Sequence, residues 1–318
     1  MELSYVQWLR QRVGHAKVLL PCVTVCVRNE FGQLLFVRRS DFSWWGLVGG
    51  YLELGESYRE CAVREVREET GYEVEIIRVV GLYAGPQYDV VYPNGDEVQQ
   101  LCLTLEGRVV GGQAKPDGLE TLLLQWFEPT ALPTDCPIWY RDMARDCIKA
   151  HYATFEPPLF NTPQEPDYVR MRRWIGKDRM YYAGVAGIVQ NEQGHVLLGL
   201  RSDNHLWGLP AGLMELGETP AGTLVREAKE ELAIDLQVTR LWAVATGPDF
   251  CMSYADGNQA QLAAHCFAAN WVGGKLQPDG IETLEVGWFP PHHLPRMPFR
   301  HFRLLKSCLA MPNGVVVM

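Results

Sequence analysis

Apolar and polar residues alternate in short blocks along the chain, a pattern typical of strands separated by turns. Apolar blocks at residues 23–28 and 34–38 flank a polar segment that ends at Gly32, and they predict two strands joined by a turn. Further blocks predict strands at residues 74–80, 99–109 and 122–127. Because these blocks alternate with helical segments, the chain is predicted to have an α/β fold.

Between the strand-like blocks, apolar residues recur with a helical spacing. Residues 58–70 predict an amphipathic helix, and Gly71 stands where a helix often ends in a left-handed conformation. A similar segment begins at Thr219 and Pro220, which suit the N-cap and the first helical position. Amphipathic helices are also predicted at residues 139–151 and 299–309.

The chain repeats itself at a spacing of 162 residues. Gly50-Tyr-Leu-Glu-Leu-Gly-Glu56 matches Gly212-Leu-Met-Glu-Leu-Gly-Glu218, and the same spacing aligns Trp45 with Trp207 without a gap. Upstream, residues 5–14 resemble residues 168–176, with one residue fewer in the second copy. A unit of this length exceeds the repeats of about 20–50 residues that build solenoids, so it indicates two whole domains.

The repeat predicts the domain organisation. We expect a first domain at residues 1–154 and a second at 167–318. Residues 155–166 contain four prolines and predict a semi-rigid linker. Since symmetric pairing of similar surfaces is common, the related segments 5–14 and 168–176 predict that the domains pack as an intrachain pseudo-dimer.

The composition of the chain limits which substrates and which cellular location we expect. The net charge of -9 argues against broad binding to a nucleic acid backbone, so we expect nucleic acid only as capped or triphosphate ends. A small phosphorylated substrate remains compatible, because a bound cation can supply positive charge. The nine scattered cysteines form no CxxC pair, and the chain has neither a signal-like start nor an apolar run of 18 residues. We therefore expect a cytoplasmic protein without membrane contact.

Three glutamates share one face of the helix predicted at residues 58–70. Glu65, Glu68 and Glu69 follow the i, i+3, i+4 spacing, and the second copy repeats them as Glu227, Glu230 and Glu231. Carboxylates this close repel each other, and a divalent cation such as Mg²⁺ or Mn²⁺ removes the conflict. A solvated charged face is the alternative interpretation, but the long fixed spacing of residues around both clusters favours a metal site.

Residues 50–72 and 212–234 resemble the Nudix box, G-x5-E-x7-R-E-U-x-E-E-x-G-U with U bulky and apolar. The first copy matches every fixed position, and in the second Ala233 replaces the late glycine. The resemblance covers nearly the whole chain. It implies two Nudix-fold domains, each an α/β/α sandwich with a mixed β-sheet and a loop–helix–loop box.

The same resemblance implies an activity. It predicts a Mg²⁺-dependent (or Mn²⁺-dependent) pyrophosphohydrolase that cleaves a diphosphate bond in a nucleoside diphosphate linked to another moiety. ADP-ribose-like compounds, dinucleoside polyphosphates and nucleoside triphosphates stay open as substrates. Pro86 and Pro248 lie about where ADP-ribose-cleaving relatives carry a proline, whereas Tyr88 lies about where dinucleoside polyphosphate hydrolases carry a tyrosine.

The resemblance also implies roles for individual residues. The metal ligands would be the carbonyls of Gly50 and Gly212 and the carboxylates of Glu65, Glu68, Glu69, Glu227, Glu230 and Glu231. The pairs that orient the two sites would be Arg64 with Glu56 and Arg226 with Glu218. The general base stays open between Glu65 and Glu227 of the box and Glu120 and Glu282 of a later loop.

Other residues are candidates for holding the rest of the substrate. Arg39 and Arg201 end strands that lead to the box and could meet phosphate oxygens. The aromatic candidates for stacking on a base are Trp44, Trp45, Trp207, Tyr88 and Phe250. Residues 85–92 and 247–254 predict a substrate-facing loop in each copy.

Two other functions compete with this one. The first is a nucleotide-sensing regulatory module on the same fold, although such modules often lose box carboxylates and this chain keeps both sets. The second is a split role, in which the first domain is catalytic and the second, which carries Ala233, is structural.

Overall fold

The computed structural model describes residues 3–149 and 152–318, which form two compact units divided between Thr154 and Phe155. The first unit contains, in chain order, α1 (Tyr5–Val13), β1 (Val18–Arg28), β2 (Leu34–Arg39), β3 (Trp45–Gly46), β4 (Val48–Tyr51), α2 (Tyr58–Thr70), β5 (Tyr72–Val91), β6 (Glu97–Gly112), β7 (Thr121–Phe127) and α3 (Ile138–Lys149). The short strand β8 (Thr154–Phe155) lies at the boundary.

The second unit repeats this order. It contains α4 (Asp167–Ile175), β9 (Met180–Val189), β10 (Val196–Arg201), β11 (Trp207–Gly208), β12 (Ala211–Leu213), α5 (Pro220–Leu232), β13 (Ile234–Ala245), β14 (Cys251–Ser253), β15 (Gln259–Gly274), β16 (Thr283–Phe289), α6 (Phe299–Ala310) and β17 (Val316–Val317). In both units apolar faces of helices and strands are buried together, so the α/β prediction is confirmed.

A mixed sheet forms the centre of each unit. In the first unit β1 pairs in parallel with β6 and antiparallel with β4, and the strands run in the order β3-β2-β1-β6-β5. In the second unit β9 pairs in parallel with β15 and antiparallel with β12. The parallel registers Val18↔Val98 and Met180↔Ala260 differ by the 162 residues of the sequence repeat, so the repeat extends to strand pairing.

Helices cover both faces of the first sheet. Cys22 and Cys26, four residues apart on β1, share one face and pack with Met143 and Cys147 of α3, as the core interpretation of these cysteines predicts. The glutamate-bearing helix α2 contacts β1, β4 and β5 and buries its own apolar stripe. This arrangement is the predicted α/β/α sandwich.

The structure corrects the position of the one-residue difference between the copies. Helices α1 and α4 both precede a glycine with positive φ, Gly14 and Gly176, which are 162 residues apart, so the N-terminal segments align without a gap. The last helices α3 and α6 begin 161 residues apart, at Ile138 and Phe299. The missing residue therefore lies just before α6, because backbone geometry and not the Tyr-Val dipeptide decides the alignment.

Several predicted boundaries also change. Residues 85–91, predicted as part of a loop, belong to strand β5: residues 85–88 form a bulge, and residues 89–91 pair with β6 again. In the second unit the equivalent segment is a 3₁₀ turn, Pro248–Phe250, followed by β14. The helix predicted at residues 139–151 ends at Lys149, and its predicted last residues, 150 and 151, lie outside the described residues. Every helix in the described part of the chain is too short or too polar to cross a membrane.

Candidate active site

The glutamate-bearing helix of each unit has defined ends. Ser57 accepts a hydrogen bond from the Glu60 amide while the Glu60 side chain reaches back to Ser57, a reciprocal cap that starts α2. Gly71 ends the helix in a left-handed conformation with φ of 72°. In α5, Thr219 is the N-cap and Pro220 the first residue, as predicted, and Ala233 occupies the left-handed position. Both helices thus present their glutamates in the same register.

The three glutamates of each helix differ in burial. Glu69 is 4 % exposed and Glu231 7 %, whereas Glu68 projects toward solvent with 56 % of its side chain exposed. Burial, opposed by the Arg64 charge, raises the pKa of Glu65 to about 7. Burial and the Glu65 charge raise the pKa of Glu69 to about 8. The second unit repeats these directions for its own buried pair, Glu227 and Glu231.

Arg64 lies among these carboxylates. Its Nε and Nη2 donate to the two oxygens of Glu56 at 2.7 and 2.9 Å, a bidentate pair, and Nη2 also donates to the Tyr51 carbonyl at 3.1 Å. Its Nη1 donates to Glu65 at 2.7 Å and to Glu68 at 3.2 Å. Arg226 makes the same contacts in the second unit. The sequence-predicted pairs Arg64–Glu56 and Arg226–Glu218 are therefore present in the geometry.

Gly50 and Gly212 bring the backbone against this cluster. A Cβ atom at Gly50 would overlap the Glu65 carboxylate, and one at Gly212 would overlap Glu227. Each glycine lies on the strand that pairs antiparallel with the central strand of its sheet. Only glycine lets the backbone pass this close to a buried carboxylate, which brings the first glycine of each box next to the glutamates.

The acid of the later loop reaches the same cavity. Asp117 accepts hydrogen bonds from the amides of Leu119 and Thr121 at 3.0 and 2.8 Å, which closes a turn around Glu120. The Ser40 amide donates to the Glu120 carbonyl at 2.9 Å. Glu120 lines one cavity with Glu65 and Glu69. Asp279 and Ser202 hold Glu282 in the same way.

Two features of the site were not predicted. The hydroxyl of buried Thr121 donates to Glu69 Oε2 at 3.2 Å, and that of Thr283 donates to Glu231 Oε2 at 3.3 Å. The signal was available, because a threonine follows the Asp-Gly-x-Glu loop in both copies. Each threonine begins the strand after that loop and joins it to the helix.

The second feature concerns the two candidate phosphate-binding arginines. Arg39 Nε and Nη2 donate to both oxygens of Asp41 at 2.9 and 2.6 Å, and Arg201 makes the same bidentate pair with Asp203. Arg39 lines the cavity that contains the glutamates. The Arg-Ser-Asp triplet repeated in both copies was the signal for this pairing. The aspartates hold the guanidinium groups in place.

The aromatic candidates are distributed differently from the predictions. Trp45 and Trp207 pack edge-on against Phe127 and Phe289 beside the cores. Tyr88 packs against Tyr83 at 5.8 Å. Phe250 is 1 % exposed in the core, which leaves no ring face for a base, so the expectation that it stacks on substrate is corrected.

A cavity of about 700 Å³ opens in the first unit between α1, α2 and the sheet. One part of its lining is acidic, with Glu65, Glu68, Glu69 and Glu120. Another part is aromatic, with Phe42, Trp44, Tyr92 and Trp139. Of the two adjacent tryptophans, the sequence favours Trp45 as the substrate-binding residue, whereas Trp44 and not Trp45 lines this cavity. A volume of this size suits a ligand of nucleotide dimensions.

The donor set fits a hard divalent cation. The donors are carboxylate oxygens, which hard cations prefer, and burial, with a smaller contribution from neighbouring carboxylates, raises the pKa values of Glu65 and Glu69. Among the described residues, no three acid, histidine or cysteine side chains surround one point. Arg64 and Arg226 each hold two glutamates of the helix in addition to Glu56 or Glu218. The chemistry of the donors therefore suits Mg²⁺ or Mn²⁺, and the carboxylates would need to leave their arginine contacts to bind it.

Comparison with known proteins gives two matches to one family model. The model described as the NUDIX domain matches residues 18–147 and residues 180–308, which together make up most of the chain. Each match covers the central sheet, the glutamate-bearing helix and the last helix of one unit.

Individual relatives are similar over shorter stretches. The chain is 43 % identical over 109 residues to a Bacillus subtilis (strain 168) protein named provisionally as an 8-oxo-dGTP diphosphatase, covering 34 % of this chain and 66 % of that one. It is 34 % identical over 128 residues to the NAD-capped RNA hydrolase NudC of Vibrio atlanticus (strain LGP32), covering 40 % and 44 %. It is 28 % identical over 178 residues to the ADP-ribose pyrophosphatase of Methanocaldococcus jannaschii, covering 54 % and 100 %. The chain thus spans less than two thirds of the first two proteins.

Proposed function

The chain belongs to the NUDIX family, and from that premise we propose that it is a divalent-metal-dependent pyrophosphohydrolase with one active site in each unit. Its substrate would be a nucleoside diphosphate linked to another moiety: an ADP-ribose-like compound, a dinucleoside polyphosphate or a nucleoside triphosphate. Three relatives are named for hydrolysis of such compounds or of NAD-capped RNA, which supports this class. The net charge of -9 favours small nucleotides and capped or triphosphate ends over long nucleic acids.

One observation carries the proposal: both units repeat the same buried carboxylate cluster around one arginine. In each unit one arginine bridges two glutamates of the helix and is itself held by a bidentate pair with the preceding glutamate of the box. A structural cluster would gain nothing from carboxylates that burial forces toward protonation. The free-energy cost of burying these carboxylates is offset when a cation and a diphosphate bind at the cluster, because charges of opposite sign then alternate.

Each residue then has a role in the proposal. The metal ligands would be Gly50, Glu65, Glu68 and Glu69 in the first unit and Gly212, Glu227, Glu230 and Glu231 in the second. A bound Mg²⁺ or Mn²⁺ would neutralise phosphoryl oxygens and lower the pKa of water. Arg64 and Arg226, fixed by Glu56 and Glu218, would orient the glutamates. Arg39 and Arg201, fixed by their aspartates, would face the phosphate oxygens.

The general base has two candidates in each unit. Glu65 lies on the helix and Glu120 on the loop, and both line the same cavity; Glu227 and Glu282 are their counterparts. A variant that removes a metal ligand should weaken the apparent affinity for Mg²⁺, whereas one that removes only the base should lower kcat at saturating Mg²⁺. Comparing Glu65→Gln with Glu120→Gln across a Mg²⁺ titration would therefore assign the two roles.

The activity is tested by monophosphate release from ADP-ribose, dinucleoside polyphosphates, nucleoside triphosphates and capped RNA, with and without Mg²⁺. We expect turnover that a chelator abolishes and that the double variant Glu69→Gln, Glu231→Gln reduces at least about 100-fold. Glu73→Gln, an exposed glutamate after the helix, is the control and should leave the rate unchanged. Bound metal without turnover on any substrate would contradict the proposal and favour a sensing module.

The single variants separate a split role from two active units. If both units are active, Glu69→Gln and Glu231→Gln should each leave part of the activity. If the second unit is structural, Glu69→Gln alone should abolish turnover.

Association of the two units through the segments of α1 and α4 stays a prediction, and independent tumbling of the halves in NMR relaxation would refute it.

A further inference from the structure

The two units share their acidic residues but differ at the positions that form the aromatic part of the cavity in the first unit. In the first unit Phe42 and Trp44 stack with ring centroids 4.4 Å apart and an interplanar angle of 6°. Trp44 meets Trp139 edge to face at 6.2 Å. We call Phe42, Trp44 and Trp139 the aromatic wall. Within the described residues the Trp44 Nε1 is buried without a hydrogen-bond partner, so ring contacts hold this indole.

Polar groups stand in the same cavity as the aromatic wall. The hydroxyls of Tyr51 and Tyr92 lie 2.8 Å apart, and Gln100 Nε2 donates to the Tyr51 hydroxyl at 3.4 Å. Tyr51, Tyr92 and Gln100 all line the cavity. A planar heterocycle needs a stacking face and donors or acceptors for its edge, and this part of the cavity offers both.

The backbone lets residues of the two units be compared directly. Ser43 and His205 both have positive φ, 58° and 54°, in the same turn. The next residue in each turn accepts a hydrogen bond through its backbone carbonyl at 3.0 Å. The Trp44 carbonyl accepts from the Arg39 amide, and the Leu206 carbonyl accepts from the Arg201 amide. Leu206 therefore occupies the position of Trp44.

The other residues of the aromatic wall and the polar groups beside it change as well. Since α3 and α6 begin at Ile138 and Phe299, the second residue of each helix is Trp139 in one unit and Arg300 in the other. The remaining substitutions, in register with the sheet and the turn, are Phe42 to Asn204, Tyr51 to Leu213 and Gln100 to Leu262. The second unit keeps a tyrosine, Tyr254, at the position of Tyr92, and its ring packs against Tyr182, which in turn contacts Tyr168.

Arg300 is a cation without an acidic partner among the described residues. Its Nη1 donates only to the Cys251 carbonyl, at 3.4 Å, and the side chain is half-buried. Burial lowers the pKa of this guanidinium, which Tyr254 and Cys251 offset in part. A desolvated arginine that lacks a carboxylate is suited to a ligand anion.

We propose that the two sites select different groups at the far end of a diphosphate substrate: a nucleobase against the aromatic wall in the first unit, and an anionic group such as a further phosphate against Arg300 in the second. This inference rests on the proposed function, since it assumes a diphosphate at both glutamate clusters. The two units are then not redundant copies. They cleave the same bond in two substrate classes.

Two ribose diphosphates form a matched pair of probes. ADP carries a base at the end of the ribose away from its diphosphate, and 5-phosphoribosyl 1-diphosphate carries a phosphate there. The first site is measured alone in Glu231→Gln and the second alone in Glu69→Gln. We expect the first site to favour ADP and the second to favour the phosphoribosyl compound in kcat/KM.

Substitutions of Trp44 and Arg300 then test the two halves of the proposal. Trp44→Leu, which copies the second unit, should lower kcat/KM for ADP about 10-fold through KM and leave the phosphoribosyl compound unchanged. Trp44→Phe should retain most of the ADP preference. Arg300→Gln in the other background should lower kcat/KM for the phosphoribosyl compound about 10-fold. Trp126→Leu, outside the cavity on β7, is the control.

Binding separates this inference from the proposed function. AMP should quench the tryptophan fluorescence of the full chain, and Trp44→Leu should weaken AMP affinity while Trp126→Leu does not. If the chain hydrolyses none of the substrates but Trp44→Leu weakens AMP binding, the proposed role of the aromatic wall in binding a base is supported and the proposed hydrolase activity is refuted. Hydrolysis in which Trp44→Leu lowers kcat/KM for both probes equally, or for neither, would overturn the division of specificity.

Discussion

Gly71 and Ala233 end the two glutamate-bearing helices in the same left-handed conformation, with φ of 72° at Gly71 and 57° at Ala233. Glycine adopts this region without penalty, but in alanine the Cβ approaches the neighbouring carbonyl at a cost of about 1 kcal/mol. The second unit therefore keeps the geometry of the helix end with a strained residue. Glu231 is nevertheless buried, as is its counterpart Glu69.

Ala233→Gly should stabilise the second unit. Relief of the strain should raise the free energy of unfolding by about 1 kcal/mol and the Tm by about 2–4 °C, measured by calorimetry on the full chain. Gly71→Ala is the reverse experiment and should destabilise more strongly, because its Cβ would also overlap the Gln113 carbonyl. A lower Tm for Ala233→Gly would show that the alanine methyl contributes packing that exceeds the strain.

Arg64→Lys should impair catalysis while leaving the charge unchanged. Lysine cannot form the bidentate pair with Glu56 and also reach Glu65, so the carboxylates lose their orientation. In the Glu231→Gln background, kcat/KM should fall about 10–100-fold. Arg67→Lys, on the exposed face of the same helix, is the matched control and should behave as the parent. Full activity of Arg64→Lys would leave Arg64 with no positioning role.

Thr121→Val should weaken metal binding in the first unit alone. The substitution keeps the shape of the buried side chain but removes the hydroxyl that donates to Glu69 at 3.2 Å. The apparent affinity for Mg²⁺, from the dependence of the rate on Mg²⁺ in the Glu231→Gln background, should fall about 10-fold. Thr283→Val should act in the same way only in the Glu69→Gln background. An unchanged Mg²⁺ dependence in both variants would leave the threonines with a packing role.

His265→Leu should make stability less sensitive to acid. Burial lowers the pKa of His265 to about 4, and its Nδ1 contacts the Gly184 carbonyl at 3.2 Å. Between an unfolded pKa of about 6.5 and this folded value, only the unfolded chain takes up the proton, so stability is lost as the pH falls. At pH 5 the loss from this residue is at most about 2 kcal/mol.

The corresponding position in the first unit holds Leu103, which makes leucine the natural replacement. The decrease in Tm between pH 7.5 and pH 5 should therefore be smaller in His265→Leu than in the parent chain. The lost contact to Gly184 affects both pH values alike and does not change this difference. An identical decrease in the two proteins would mean that the histidine is protonated in the folded state.

The sequence by itself determined the repeat, the fold class and the acidic half of each site. Helical spacing places Glu65, Glu68 and Glu69 on one face whatever surrounds the helix, and caps such as Ser57 and Gly71 act through local backbone chemistry. The pairs Arg64–Glu56 and Arg226–Glu218 were predicted from the resemblance of both copies to the Nudix box. These features depend on contacts that are close along the chain or repeated within it.

Only the tertiary structure decided which side chains face the cavity. Trp44 and Trp45 are adjacent, and neighbouring residues of an extended segment point to opposite sides, so strand pairing decides that Trp45 packs against the core and Trp44 against Phe42. The contacts of Thr121 with Glu69 and the placement of Arg300 likewise join segments far apart in sequence. Side chains brought together by sheet register leave no local pattern, which is why the substrate-facing half of the site required the fold.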